Sequence, residues 1–155
     1  MSTPVKVTVT GIHKHTGVSK EQTTQTTASG TYRKDGNVHV VEYEEYMDEE
    51  GTGAEAFKGG VATYNLVRLT DQEMTVIRKG SVESELRFST GAEHDSEYKT
   101  AFGAMKTHIK TKRYSFYTLE KGKRLIAEAE YTVSMNGMEM SETLMRFDIT
   151  LQGTD

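Results

Sequence analysis

Three side chains in the last third of the chain could together hold a small ligand: Tyr131, Glu142 and Arg146. An arginine guanidinium is a rigid planar fork that meets a carboxylate or phosphate through two parallel hydrogen bonds, and a tyrosine hydroxyl beside it can add a third. Strand register would bring the three together. Asn136-Gly137 is a two-residue hairpin signal, because both central positions of a type I′ turn need positive φ. Counting outward from that turn places Val133 opposite Met140, Tyr131 opposite Glu142, Ala129 opposite Leu144 and Ala127 opposite Arg146. The face carrying Leu125, Val133 and Leu144 is expected to be the inner one, and it takes Tyr131, Glu142 and Arg146 with it. Buried charges must be paired and hydrogen-bonded. The cluster is therefore either an anion or carboxylate pocket built on Arg146, or a self-satisfied Arg146–Glu142 ion pair. A bulge in the last strand that turned Phe147 and Ile149 inward would instead carry Arg146 out.

Other groupings carry less chemistry. Lys106, His108, Lys110 and Lys112 form a basic stripe at strand spacing, but no stacking aromatic shares it, and it reads as a solvated face opposed by Glu128 and Glu130. His13 and His15 share a strand face without an evident third ligand, short of what zinc needs. The acidic residues Glu42, Glu44, Glu45, Asp48, Glu49 and Glu50 lack the spaced loop and fixed glycine of a calcium site. There is no nucleophile elbow, phosphate loop, dinucleotide fingerprint or zinc-protease helix, so no catalytic, cofactor or metal residue is assigned. The reading leans away from an enzyme.

The elements that must position these residues are strands. The chain has 155 residues, one proline, 14 glycines and no cysteine, which suits a single domain over 1–155 and excludes disulfides and thiolate metal sites. Its net charge of −4 argues against general nucleic-acid binding. No apolar run approaches the roughly 20 residues of a membrane helix, and no secretory leader is evident, so a cytoplasmic, non-membrane protein is expected.

Alternation of apolar and polar residues predicts strands over about 5–12, 23–33, 37–46, 61–69, 73–79, 82–89, 104–118, 123–135 and 138–151. A two-residue turn at Lys79-Gly80 would set Ile77 against Val82 and Thr75 against Ser84. Val82, Ser84, Leu86 and Phe88 would then face inward, and Arg78, Glu83, Glu85 and Arg87 outward. The polar block 90–99 reads as one helical turn or an irregular lid. In 104–118 the apolar positions are odd at Met105 and Ile109 but even at Tyr114 and Phe116, which predicts a β-bulge near Lys112-Arg113. Nine short strands with tight turns give an all-β chain, an antiparallel up-and-down meander closing into a calycin/lipocalin-like barrel of about eight to ten strands, with a two-sheet sandwich as the alternative. Such a barrel has room for packed side chains or one small ligand.

Val41-Glu42-Tyr43-Glu44-Glu45, Ile77-Arg78-Lys79-Gly80, Leu86-Arg87-Phe88 and Tyr98-Lys99-Thr100-Ala101-Phe102-Gly103, with the glycine-led last two strands, carry a resemblance. In these residues the chain resembles the YwiB-like family of small uncharacterised bacterial proteins, from which it departs at Ala101, where the family often has proline. The resemblance implies a calycin-like barrel and no assigned activity. True lipocalins and biotin-binding barrels depend on tryptophan, which this chain lacks. Fatty-acid-binding barrels hold a carboxylate with an inward arginine and tyrosine near the end of the last strand; Arg146 supplies the arginine, and Tyr131 could stand in for the tyrosine. Taken together, the sequence predicts a non-catalytic barrel that binds a small anionic or amphipathic molecule in a partly polar cavity, without a stable cofactor. The rival is a filled barrel that acts as a protein-interaction module through its charged outer surface.

Overall fold

The computed structural model describes residues 2–15, 21–47, 61–80, 83–100 and 103–152. Ten strands follow one another: β1 (Thr3–His15), β2 (Glu21–Asp35), β3 (Val38–Met47), β4 (Val61–Leu69), β5 (Met74–Gly80), β6 (Ser84–Phe88), β7 (Glu93–Thr100), β8 (Gly103–Leu119), β9 (Arg124–Met135) and β10 (Met138–Leu151). They form one antiparallel sheet in the order β6-β5-β4-β3-β2-β1-β10-β9-β8-β7. Each strand thus pairs with its successor except at β6 and β7, and β1 also pairs with β10. The sheet curls into an up-and-down barrel, and β6 and β7 meet at a seam through one bridge, Glu83 to Lys99, with two N–H···O bonds of 2.9 Å. No helix among the described residues is long and apolar enough to cross a membrane.

Two of the expected devices are present. The hairpin between β9 and β10 turns at Asn136 (φ 50°) and Gly137 (φ 86°), the pair of left-handed conformations a type I′ turn demands. The register of β8 against β9 shifts between Thr111 and Arg113. Before the shift Thr107, Ile109 and Thr111 are buried, and after it Tyr114 is. One extra residue lets the strand bury odd positions first and even positions later.

Two expectations about local structure need correction. Residues 93–100 are not a lid: they are β7, paired with β8 from Glu93↔Lys110 to Thr100↔Gly103. The β5–β6 hairpin is longer than a two-residue turn, because Ile77 lies opposite Glu85 and Arg78 opposite Ser84. Ser84, Leu86 and Phe88 do share the inner face, but Arg78 shares it with them, following the buried Met74 and Val76 at strand spacing.

The core is a single cluster in which Val5, Val7, Val41, Val67, Leu69, Met74, Phe88, Leu125 and Ile149 are essentially inaccessible to solvent. Burying each of the larger ones contributes about 1.5–3 kcal/mol. Gly30 allows β2 to approach β3 at this level. A Cβ there would stand 2.2 Å from the Glu42 carbonyl oxygen.

Candidate functional site

The inner face changes character along the barrel axis. Where β2, β4, β6 and β8 end, it is apolar and closed. Tyr32 stacks on His39 across this mouth with ring centroids 5.8 Å apart, Phe116 meets the His39 ring at a tilt with centroids 5.0 Å apart, and the Tyr32 hydroxyl lies 2.7 Å from His39 Nδ1. Where β1, β3, β5, β7 and β9 end, the inner face carries Glu45, Thr63, Asn65, Arg78, Ser141 and Thr143.

Simple alternation puts each of these groups there. Glu45 follows Val41 and Tyr43 on β3, Asn65 precedes Val67 and Leu69 on β4, and Arg78 follows Met74 and Val76 on β5. Arg78 Nη2 lies 3.2 Å from Glu45 Oε1, and Asn65 Nδ2 donates to the same oxygen at 2.9 Å. Both charged side chains are largely buried, at 23 and 18 % exposure. Asn65 also donates to the Thr63 carbonyl at 3.3 Å. The pair is thus locally neutral and fixed from two sides.

A second network adjoins it. The Tyr131 hydroxyl is hydrogen-bonded to Thr143. His13 Nδ1 lies 3.2 Å from Thr143 Oγ1, and Ser141 Oγ lies 3.4 Å from it. On its other side, His13 Nε2 is 3.4 Å from Thr24 Oγ1. Gly11 makes room for this ring, since a Cβ at that position would stand 2.7 Å from His13 Nε2. Burial raises the Tyr131 hydroxyl to about 12, against the opposing pull of the Thr143 bond and the Arg78 charge. Burial, then the Glu45 charge, holds the Tyr43 hydroxyl well above the ordinary tyrosine range. Both phenols are therefore neutral donors at physiological pH.

Four buried polar atoms on this inner face have no hydrogen-bond partner among the described residues: Arg78 Nε, Ser84 Oγ, Thr107 Oγ1 and Thr111 Oγ1. Two of their residues, Ser84 and Thr107, line an open cleft of about 790 Å³ that runs along the β6–β7 seam. Strand alternation explains why the seam stays open beyond its one bridge. Continuing the ladder from Glu83↔Lys99 would set Glu85 against Glu97, two carboxylates directly opposite, which is destabilising. Each acid instead pairs along its own strand, Glu85 with Arg87 at 3.2 Å and Glu97 with Lys99 at 3.7 Å. His94 Nε2 reaches across the gap to within 3.3 Å of the Glu85 carbonyl.

Of the three residues expected to build the site, the structure places only Tyr131 inside. A register shift between Glu139 and Ser141 slips β10 by one residue against β9, so that Tyr131 faces Thr143 and Ala127 faces Phe147. Glu142 consequently points to solvent, and Arg146 lies on the outer face, 3.6 Å from Glu128. The slip buries Phe147 and Ile149, and burying these two apolar side chains outweighs burying an ion pair that must first be desolvated. The inward arginine and acid are Arg78 and Glu45. Their signal in the sequence was the spacing Met74-x-Val76-x-Arg78, which the two-residue reading of the following turn obscured.

The remaining candidates fall as follows. Three of the four residues of the basic stripe lie opposite acids of β7, Lys106 opposite Glu97, His108 opposite Asp95 and Lys110 opposite Glu93, and Lys112 lies beyond the β7–β8 ladder. His108 is clamped between Asp95 (2.6 Å) and Glu93 (2.7 Å), and these bonds raise its pKa. Glu42 is bound by Arg33 at 2.7 Å on the outer face. Asp48, Glu49, Glu50 and the side chain of His15 lie outside the described residues. Among the described residues no three His, Cys, Asp or Glu side chains are placed to hold a metal ion.

Residues 7–147 match the family described as a domain of unknown function, DUF1934. That is most of the chain, and the protein belongs to this family. No curated protein matches it. Among solved structures, it is similar to the ywiB protein of Bacillus subtilis, at 21 % identity with a TM-score of 0.77, over 99 % of this chain and 94 % of that one. At that identity the likeness concerns the fold.

Proposed function

We propose, for this member of the DUF1934 family, that the barrel binds a small molecule in the polar half of its interior, which is reached through the β6–β7 seam. One observation carries the reading: the buried, unpartnered polar atoms of Arg78, Ser84, Thr107 and Thr111 share one inner wall, and two of them line a cleft of about 790 Å³. Buried polar groups are nearly always hydrogen-bonded, and each one left without a partner costs about 1–3 kcal/mol. A ligand that supplies those partners offsets the cost. The cleft is open to solvent, with Glu83, Glu85, Asp95 and Glu97 on its outer rim and Ser84, Ser96 and Thr107 at its inner side, and its volume falls within the roughly 300–1,000 Å³ of small-molecule sites. Tyr131 and Phe88, whose ring centroids are 4.7 Å apart, belong to the packed core rather than to the cleft.

The rival reading, a filled barrel that acts through its charged outer face, draws on the packed apolar half. It is weakened by β7, which sets acids opposite Lys106, His108 and Lys110 and so offsets most of the charge of the basic stripe. The test is native mass spectrometry on protein drawn gently from its own cells. A stoichiometric added mass, lost in Arg78→Leu, is expected. Bare mass, together with unmoved Thr107 and Thr111 methyl resonances across a panel of metabolites, would overturn the proposal.

A further inference from the structure

We infer that the group held at this polar end is uncharged and rich in hydroxyls, a polyol or sugar-like moiety, rather than an anion. The inference rests on the small-molecule reading above and narrows it. Three features of the wall point the same way.

Arg78, the cation of the described inner wall, is already neutralised by Glu45 at 3.2 Å, and Asn65 fixes that carboxylate at 2.9 Å. An incoming anion would have to share Arg78 with a carboxylate that is itself partly buried, and like charges in such a place repel strongly. The seam adds to this. Its lining holds Glu83, Glu85, Asp95 and Glu97 against Lys99, Lys106 and His108, whose ring is already bound by Asp95, so the approach offers an anion no unshared cation and favours neutral over negative ligands.

The unpartnered atoms are chiefly hydroxyls: Ser84 Oγ, Thr107 Oγ1 and Thr111 Oγ1. A hydroxyl can donate one hydrogen bond and accept two, so a wall of them complements groups that also do both, which carboxylates and phosphates do not. Ligand hydroxyls meet this requirement, and the Arg78 Nε–H adds a donor that a ligand hydroxyl oxygen can accept.

Saturation-transfer NMR with a matched pair, glucose and glucuronate, tests the inference, because the two differ by one carboxylate. Transfer to glucose is expected, about tenfold weaker in the S84A/T107V double variant, which removes the two cleft hydroxyls. Glucuronate should give none with the native chain. Glu45→Gln keeps an acceptor for Asn65 and frees the Arg78 charge, so this variant should gain glucuronate. Native mass spectrometry of the cell-derived protein runs beside it. Preference of the native chain for glucuronate, or a co-purifying compound that carries a carboxylate or phosphate, would overturn the neutral class and leave the small-molecule reading standing. A co-purifying neutral compound without hydroxyls would do the same. No transfer to either sugar and a bare protein mass would overturn both.

Discussion

Replacing Thr111 by valine should make the folded protein more stable. Thr111 is 2 % exposed, lies opposite Tyr131, and has a hydroxyl with no partner among the described residues. Valine has nearly the same shape and the same branching at Cβ, so strand preference hardly changes. The backbone bonds of residue 111, from the Gly91 N–H at 2.9 Å and to the Ala92 carbonyl at 3.0 Å, do not involve the side chain. What changes is the hydroxyl, which is solvated in the unfolded chain and stripped of water in the barrel. Burying such a group without a bond costs about 1–3 kcal/mol, and its removal should return about that much. For a chain of this size each kcal/mol moves Tm by about 2–4 °C. Equilibrium urea unfolding reads the gain directly, as a higher midpoint at unchanged slope. Thr143→Val is the control on the same inner face. Its hydroxyl takes part in bonds with Tyr131, His13 and Ser141, and losing them should cost about 1–3 kcal/mol because the Tyr131 hydroxyl is left buried without a partner. If Thr111→Val loses stability as Thr143→Val does, the Thr111 hydroxyl is satisfied in the folded protein, and the argument from unpartnered groups fails.

Gly30→Ala should destabilise by more than the about 1–3 kcal/mol usual for overpacking, because its Cβ would meet the Glu42 carbonyl at 2.2 Å and backbone must move. Gly11→Ala should cost less, since the atom in the way is the tip of the His13 ring, which can swing aside; thermal unfolding of the two variants gives the order. The two perturbed histidines act in opposite directions with pH. His108, raised by Asp95 and Glu93, stabilises fully below its unfolded pKa near 6.5, and this is lost as pH rises through the raised folded value. His39 is lowered by burial and then by Lys34, against Asp71, so folding is favoured above about 6.5 and the advantage fades as pH falls toward the lowered folded value. Urea midpoints at about pH 5 and pH 8 should therefore show His108→Gln losing more at the acid end and His39→Gln losing less there; the same pH response in both would contradict the assignment. In hydrogen exchange, the amides of Glu85, Arg87 and Glu97, which alternation from the Glu83–Lys99 bridge points into the open seam, should exchange well before that of Ile109. Equal protection would mean that the seam is zipped in solution.

The fold was legible because barrel strands advertise a dry side and a wet one. The phase change from Ile109 to Tyr114 located the β8 bulge, and Asn136-Gly137 located the last turn. Of the three residues expected to face inward, only Tyr131 does. β10 has apolar residues at both parities, Met140 and Leu144 on one and Phe147 and Ile149 on the other, so two registers bury comparable area and the choice rests on packing against seven other strands of core. β7 went unread for a different reason. Its inward residues, His94, Ser96 and Tyr98, are polar because they face the polar half of the interior, and a strand without an apolar face does not look like one. The same polar interior that hid β7 and Arg78 from a reading by hydrophobic alternation is what marks the site.

That interior is also the argument for function. A barrel that served only as a rigid outer surface could fill both halves as it fills the first, with Phe88, Met74 and Leu69. Here the second half holds an arginine, a glutamate, an asparagine and a row of hydroxyls, each of which must be desolvated on folding. Each unpartnered group costs about 1–3 kcal/mol against a net stability of about 5–15 kcal/mol, and substitutions that remove it are single steps from the present residues. Sites that keep such groups commonly trade stability for binding. The valine variants separate the two cases on this protein. If Thr107→Val and Thr111→Val each gain stability and each weaken sugar transfer, with Thr107, which lines the cleft, the stronger of the two, the hydroxyls serve a ligand; if both gain stability and neither alters binding, the polar wall is a structural cost without that return.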